Sequence, residues 1–124
     1  MESIGLVIVS HSKHIAEGVV ELISKVAKDV PITYVGGTEG GGIGTSFDQV
    51  DRVVSENPAD TLLAFFDLGF AKMNLKMVTD FSDKSIIINR VPIVEGAYNA
   101  AALLQAGAEL SVIQTQLAEL EINK

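Results

Sequence analysis

The sequence predicts an α/β fold: a doubly wound, mainly parallel sheet of about four to five strands, in the order 2-1-3-4, with helices on both faces. Two observations predict it. Strand-like and helix-like segments alternate along the chain. The first strand-like run, Ile4-Gly-Leu-Val-Ile-Val9, is apolar without alternation, the pattern of a strand covered on both faces by crossover helices.

Each element has a local reason. After the first strand, Ile15, Val19, Leu22, Ile23 and Val26 form a helical stripe over 13–28. Pro31-Ile-Thr-Tyr-Val35 reads as a short second strand. A glycine-rich stretch, 36–46, leads to Phe47, Val50, Val53 and Val54 at helical spacing, stopped by Asn57-Pro58. Ser46 and Gln49 have the spacing of a capping box at that helix start. Thr61-Leu-Leu-Ala-Phe-Phe66 is a third strand, 70–81 a helix, and Ser85-Ile-Ile-Ile88 a fourth strand. Pro92 suits the first position of the next helix and Gly107 its end. Ser111 and Gln114 suggest a second capping box, opening a last helix to about residue 122. There is neither repeat nor linker, so residues 1–124 are expected to form one domain.

Composition narrows the function. Of 124 residues, 48% are hydrophobic, too many for a disordered chain. No apolar run approaches the roughly 20 residues of a membrane helix. The N-terminus lacks the basic and apolar regions of a signal peptide. A soluble, cytoplasmic protein is expected. The absence of cysteine excludes thiol catalysis and thiolate metal sites. Nine basic residues against 16 acidic ones give a formal charge of -7, which argues against nucleic acid or an anionic membrane as partner. That balance is compatible with a basic protein partner, but an acidic surface is also the usual route to simple solubility, which is the favoured reading.

In such a sheet the functional crevice lies at the carboxyl ends of the strands, where strand order reverses. Three distinctive segments fall there: Ser10-His11-Ser12, the loop 36–46, and Asp67-Leu68-Gly69. His11 and His14 are spaced i, i+3, but His11 belongs to the loop and His14 to the first helical turn, with no H-E-x-x-H and no third ligand nearby, so no metal is expected. The glycine-rich loop contains no lysine and fails both the Walker and the dinucleotide patterns. It is either a connection to a capped helix or a set of backbone N–H groups able to approach a phosphoryl group or a partner. His11 follows a buried strand and precedes a helix start. Asp67 closes the strand next to it. An Asp accepting from one imidazole nitrogen fixes the tautomer and frees the other nitrogen's lone pair for attack. A helix N-terminus beside it favours the charge of a transferred phosphoryl group.

Val7-Ile-Val-Ser-His-Ser12, Ile15-Ala-Glu-Gly18, Ile43-Gly-Thr-Ser46, Phe66-Asp-Leu-Gly69 and Pro92-Ile-Val-Glu-Gly96, in this order, resemble the phosphotransferase subunits of dihydroxyacetone kinase, the DhaM family, related to mannose-type IIA domains. The resemblance spans essentially the whole chain. It implies a mannose-type IIA fold, which commonly forms homodimers. His11 would accept a phosphoryl group from HPr and pass it to ADP held in DhaL, serving dihydroxyacetone bound to DhaK, with no cofactor of its own. His11 would be the phosphorylated nucleophile and Asp67 its orienting partner, with Ser10, Ser12, Gly44, Thr45 and Gly69 lining the site. His14 matches no family position. A mannose-type IIA serving sugar transport, with a IIB protein as acceptor, and a regulatory relative are the alternatives. Two positions depart from the family pattern: Phe70 stands where Ser is usual, and Lys76 where Glu is usual. Both bear on the rim of the site and on partner recognition.

Overall fold

The computed structural model describes residues 3–124. Strands β1 (Ile4–Ser10), β2 (Ile32–Gly36), β3 (Thr61–Phe66) and β4 (Ser85–Asn89) alternate with helices α1 (Lys13–Ser24), α2 (Phe47–Glu56), α3 (Gly69–Phe81) and α4 (Ile93–Gln105), and α5 (Leu110–Ala118) follows. Among the described residues the strands form one four-stranded sheet in the order β2-β1-β3-β4, with every pairing parallel. The order expected from the sequence is the order found, at the lower of the two strand numbers.

The two central strands explain the continuous apolar runs. Leu6, Ile8, Leu63 and Phe65 face one side, against Val19 and Ile23 of α1, Ala97, Ala100 and Ala101 of α4, and Ile113 and Leu117 of α5. Val7, Val9, Leu62, Ala64 and Phe66 face the other, against Val50, Val53 and Val54 of α2 and Ala71, Leu75 and Val78 of α3. Each successive residue of β1 and β3 therefore enters a different core. Each large side chain buried this way contributes about 1.5–3 kcal/mol.

Helix ends differ from the sequence reading in α1, α4 and, at both ends, α5. Helix α1 stops at Ser24, not at 28: the N–H groups of Lys25 and Val26 turn back to Leu22 and Ile23 in a tightened last turn, while Val26 still packs on the core. Pro92 is the N-cap of α4, so the helix proper starts at Ile93. The N-cap of α5 is Glu109, two residues before the expected Ser111, because Gly107 at φ +84° turns the chain sharply after α4. Ser111 lies within the helix, where its carbonyl accepts the Thr115 hydroxyl. The helix ends at Ala118, and residues beyond it cross the sheet end, with Ile122 N donating to Arg90 O at 2.9 Å.

Two glycines mark close approaches that seat the helices on the sheet. A Cβ on Gly36 would lie 2.4 Å from Ser12 O and 2.7 Å from Ala16 Cβ, so the end of β2 is pressed against the first turn of α1. A Cβ on Gly96 would lie 2.2 Å from Val91 Cγ2, which gives the Pro92-to-Gly96 motif a packing role. Gly36→Ala is expected to lower unfolding stability by about 1–3 kcal/mol through overpacking. Denaturant midpoints of the two proteins measure this, and equal midpoints contradict the packing account.

Candidate functional site

The register between β1 and β3 builds the site. Val9 pairs with Phe66, so Ser10 and Asp67 leave the sheet side by side. Ser10 Oγ donates to Asp67 Oδ2 at 2.6 Å, and His11 N donates to the same oxygen at 2.9 Å. His11 Nδ1 lies 2.9 Å from Asp67 Oδ1, which also accepts from Leu68 N at 2.7 Å. Burial pushes the Asp67 carboxyl upward, but the hydrogen bonds from Ser10, from His11 and from the His11 and Leu68 backbone outweigh it, and its pKa lies below the ordinary carboxylate value. An ionised carboxylate only accepts, so in the neutral imidazole the ring proton sits on Nδ1 and the lone pair on Nε2. Nε2 is buried and has no hydrogen-bond partner among the described residues.

The imidazole borders an open cleft of about 350 Å³ lined by His11, Gly44, Thr45, Phe70, Met73, Asn74 and Met77. Gly44 is tied to the site by its N–H, which donates to His11 O at 2.9 Å, and its φ of +144° is one that a side chain would strain. Thr45 is held in turn by Asn74, whose Nδ2 donates to Thr45 Oγ1 at 3.2 Å. The rest of the glycine-rich loop folds on itself around Thr38, through Thr38 N to Gly42 O, Gly41 N to Thr38 O and Gly42 N to Thr38 Oγ1. Those N–H groups are occupied, which favours the connecting role for that half of the loop.

The other residues singled out in the sequence have distinct places. Ser10 lies behind Asp67, 1% exposed, and its Oγ also accepts from Ser12 N at 3.0 Å. Ser12 is the N-cap of α1, its hydroxyl accepting from Ile15 N. Gly69 is the exposed first residue of α3. His14 is 94% exposed, 3.9 Å from Glu17, and shares nothing with His11. Among the described residues no group of His, Asp and Glu is arranged to hold a metal ion. No helix among them is long and apolar enough to cross a membrane. A larger cleft, about 560 Å³, lies at the opposite end of the sheet between Ile4, Pro31 and Leu110; its Asp29 is taken up by Gln105.

Met73, Asn74 and Met77 were not found from the sequence. They carried a signal all the same. Ala71, Leu75 and Val78 are the buried face of α3, so Phe70, Met73, Met77 and Phe81 form a second apolar stripe with no core to enter, and all four are exposed.

Comparisons with known proteins give the family. The family model described as "PTS system fructose IIA component", EIIA-man, matches residues 5–114. The chain belongs to this IIA family. Its similarity to curated members of the family is high. It is 53% identical, over 97% of its length and 98% of the relative's, to the PTS-dependent dihydroxyacetone kinase phosphotransferase subunit DhaM of Lactococcus lactis subsp. lactis. It is 49% identical, over 95% of both chains, to the phosphoryl donor subunit DhaM of PEP-dependent dihydroxyacetone kinase 1 of Listeria innocua. Among solved structures, the crystal structure of EF1359, a protein of unknown function, superposes on this IIA-family chain with a TM-score of 0.84 at 25% identity, covering 98% of this chain and 97% of the other.

The depressed Asp67 pKa fixes the sign of a pH effect. A group whose pKa falls on folding stabilises the fold above its unfolded pKa, and that contribution is lost as pH falls through the folded value. Wild-type stability is expected to decline as pH drops below about 4. Asp67→Asn, less stable at neutral pH, should lose less over the same interval. Denaturant midpoints against pH read this, and parallel curves for the two proteins contradict it.

Proposed function

We propose that this chain is the phosphoryl-donor subunit of a phosphoenolpyruvate-dependent dihydroxyacetone kinase, with His11 as its phosphorylated residue. The observation that carries the reading is the state of the imidazole: Nδ1 is held by an ionised Asp67 and Nε2 keeps a lone pair without a partner among the described residues. The two highly similar relatives, both DhaM subunits, support the substrate system.

The steps balance simply. The Nε2 lone pair forms the N–P bond as the N–P bond of phosphorylated HPr breaks. The ring proton stays on Nδ1, where its bond to the ionised Asp67 holds the ring in place. In the second step a β-phosphate oxygen of ADP, bound in DhaL, attacks phosphorus, and the electron pair returns to Nε2. Helices α1 and α3 both begin within two residues of His11 and Asp67, and their N-terminal dipoles favour the added negative charge. The apolar wall of Phe70, Met73 and Met77 suits a protein surface bearing the phosphoryl group better than a solvated sugar.

Incubation with phosphoenolpyruvate, enzyme I and HPr is expected to place one acid-labile phosphate on His11. DhaL loaded with ADP should remove it, and a IIB protein should not. His11→Ala should take up none, and Asp67→Asn should label about a hundredfold to ten-thousandfold more slowly, because the amide no longer selects the Nδ1 proton. Labelling that survives His11→Ala, or discharge to IIB alone, rejects the reading.

Phe70 bears on access. Its ring lies 6.5 Å, centroid to centroid, from the imidazole, yet 68% of the residue is exposed, so little packing holds it. Phe70→Ala is expected to speed labelling of His11 by phosphoramidate, a donor too small to dock, and to slow labelling by phosphorylated HPr. Unchanged rates with both donors remove Phe70 from access and docking alike.

A further inference from the structure

The residues after α5 are laid across the same end of the sheet as His11. Arg90 Nη2 meets Glu121 Oε1 at 2.9 Å beside the Ile122-to-Arg90 bond, which guides the chain past the end of β4. Lys124 then turns inward. Its Nζ donates to Phe66 O at 2.7 Å and to Val91 O at 2.9 Å, and lies 4.3 Å from the centroid of the Phe66 ring. Lys72 of α3 donates to Lys124 O at 2.8 Å and holds the backbone there.

The two carbonyls are not arbitrary. The pairing of β3 with β4 ends at Phe65 and Asn89, so Phe66 has no strand partner on that side. A buried carbonyl without a donor is costly, by about 1–3 kcal/mol. The Lys124 ammonium supplies a donor to that carbonyl. Phe66 immediately precedes Asp67, and Val91 immediately precedes Pro92, the N-cap of α4. One side chain therefore ties the peptide that bears Asp67 to the entry of α4. The Asp67 carboxylate also acts on this ammonium: burial lowers the Lys124 pKa, and Asp67 opposes the fall.

We propose that Lys124 is a positioning residue for His11, acting through the Phe66–Asp67 peptide to hold the Asp67 carboxylate against Nδ1. It touches neither the imidazole nor the transferred group. Its effect on rate rests on the phosphoryl-carrier reading; its effect on the imidazole does not.

Lys124→Met keeps the aliphatic stem and removes the donors, and Lys124→Arg restores them. Nitrogen-15 NMR of the His11 ring reads the tautomer, and labelling by phosphorylated HPr reads the rate. For Lys124→Met we expect the Nδ1–H form to give way to a tautomer mixture and labelling to slow about tenfold, the scale of a small misplacement in a reacting pair. Lys124→Arg should recover both. A wild-type tautomer and rate in Lys124→Met overturns the proposal. So does a slower rate with a lowered melting temperature and an unchanged tautomer, which marks packing alone. If the wild type takes up no phosphate, the carrier reading fails and the tautomer comparison still decides the role of Lys124. Should Lys124→Met not fold, Lys72→Met frees the tail backbone from α3 instead; a smaller tautomer shift in the same direction supports the proposal, and none overturns it.

Discussion

Asp67 accepts four hydrogen bonds, from the Ser10 hydroxyl, the His11 backbone, the His11 ring and the Leu68 backbone. Each bond fixes something different. The Ser10 bond joins the ends of β1 and β3. The backbone bond from His11 sets where the chain leaves the sheet. The ring bond sets the tautomer, and the Leu68 bond aims the chain into α3. A carboxylate can satisfy all four only while ionised, and together the four keep it so. The geometry of the sheet end and the chemistry of the imidazole thus depend on one charge, held where burial alone would oppose it.

The remainder of the site is arranged around that charge. The glycine-rich loop is tied to the site by two bonds, Gly37 N to Ser10 O and Gly44 N to His11 O, and Thr45 follows into the cleft under the hold of Asn74. Gly36 lets β2 press against α1 at Ser12, the residue that caps the helix next to His11. On the far side, Lys124 completes the end of β3 where β4 has run out. Phe70, Met73 and Met77 wall the cleft with apolar surface that a folded partner can cover.

Much of this was legible in the sequence, for physical reasons that differ by element. The apolar runs of β1 and β3 could belong only to strands covered twice, and strand order then brought Ser10-His11 beside Asp67. Capping at Ser46 followed from a local rule and is present, the Ser46 hydroxyl accepting from Gln49 N. The rule failed at Ser111 because Gly107 had already turned the chain, and burial of Ile113 and Leu117 fixed the helix phase. Phe70 stood out only as a departure from the resembled family, and the sequence could not say that its ring lies beside His11. The contacts of Lys124 left no periodic trace: a lone lysine reads as solvated, and its two acceptors, Phe66 and Val91, are far from it in the chain.

The central claim is that the Asp67 bond leaves Nε2 as the atom that takes the phosphoryl group. Phosphorylating the protein with nitrogen-15 in its histidines and recording the phosphorus–nitrogen couplings of the His11 ring identifies the bonded nitrogen directly. The account predicts phosphorus on Nε2 with the proton retained on Nδ1. Phosphorus on Nδ1 would contradict it, because the Asp67 bond could not then exist in the phosphorylated protein.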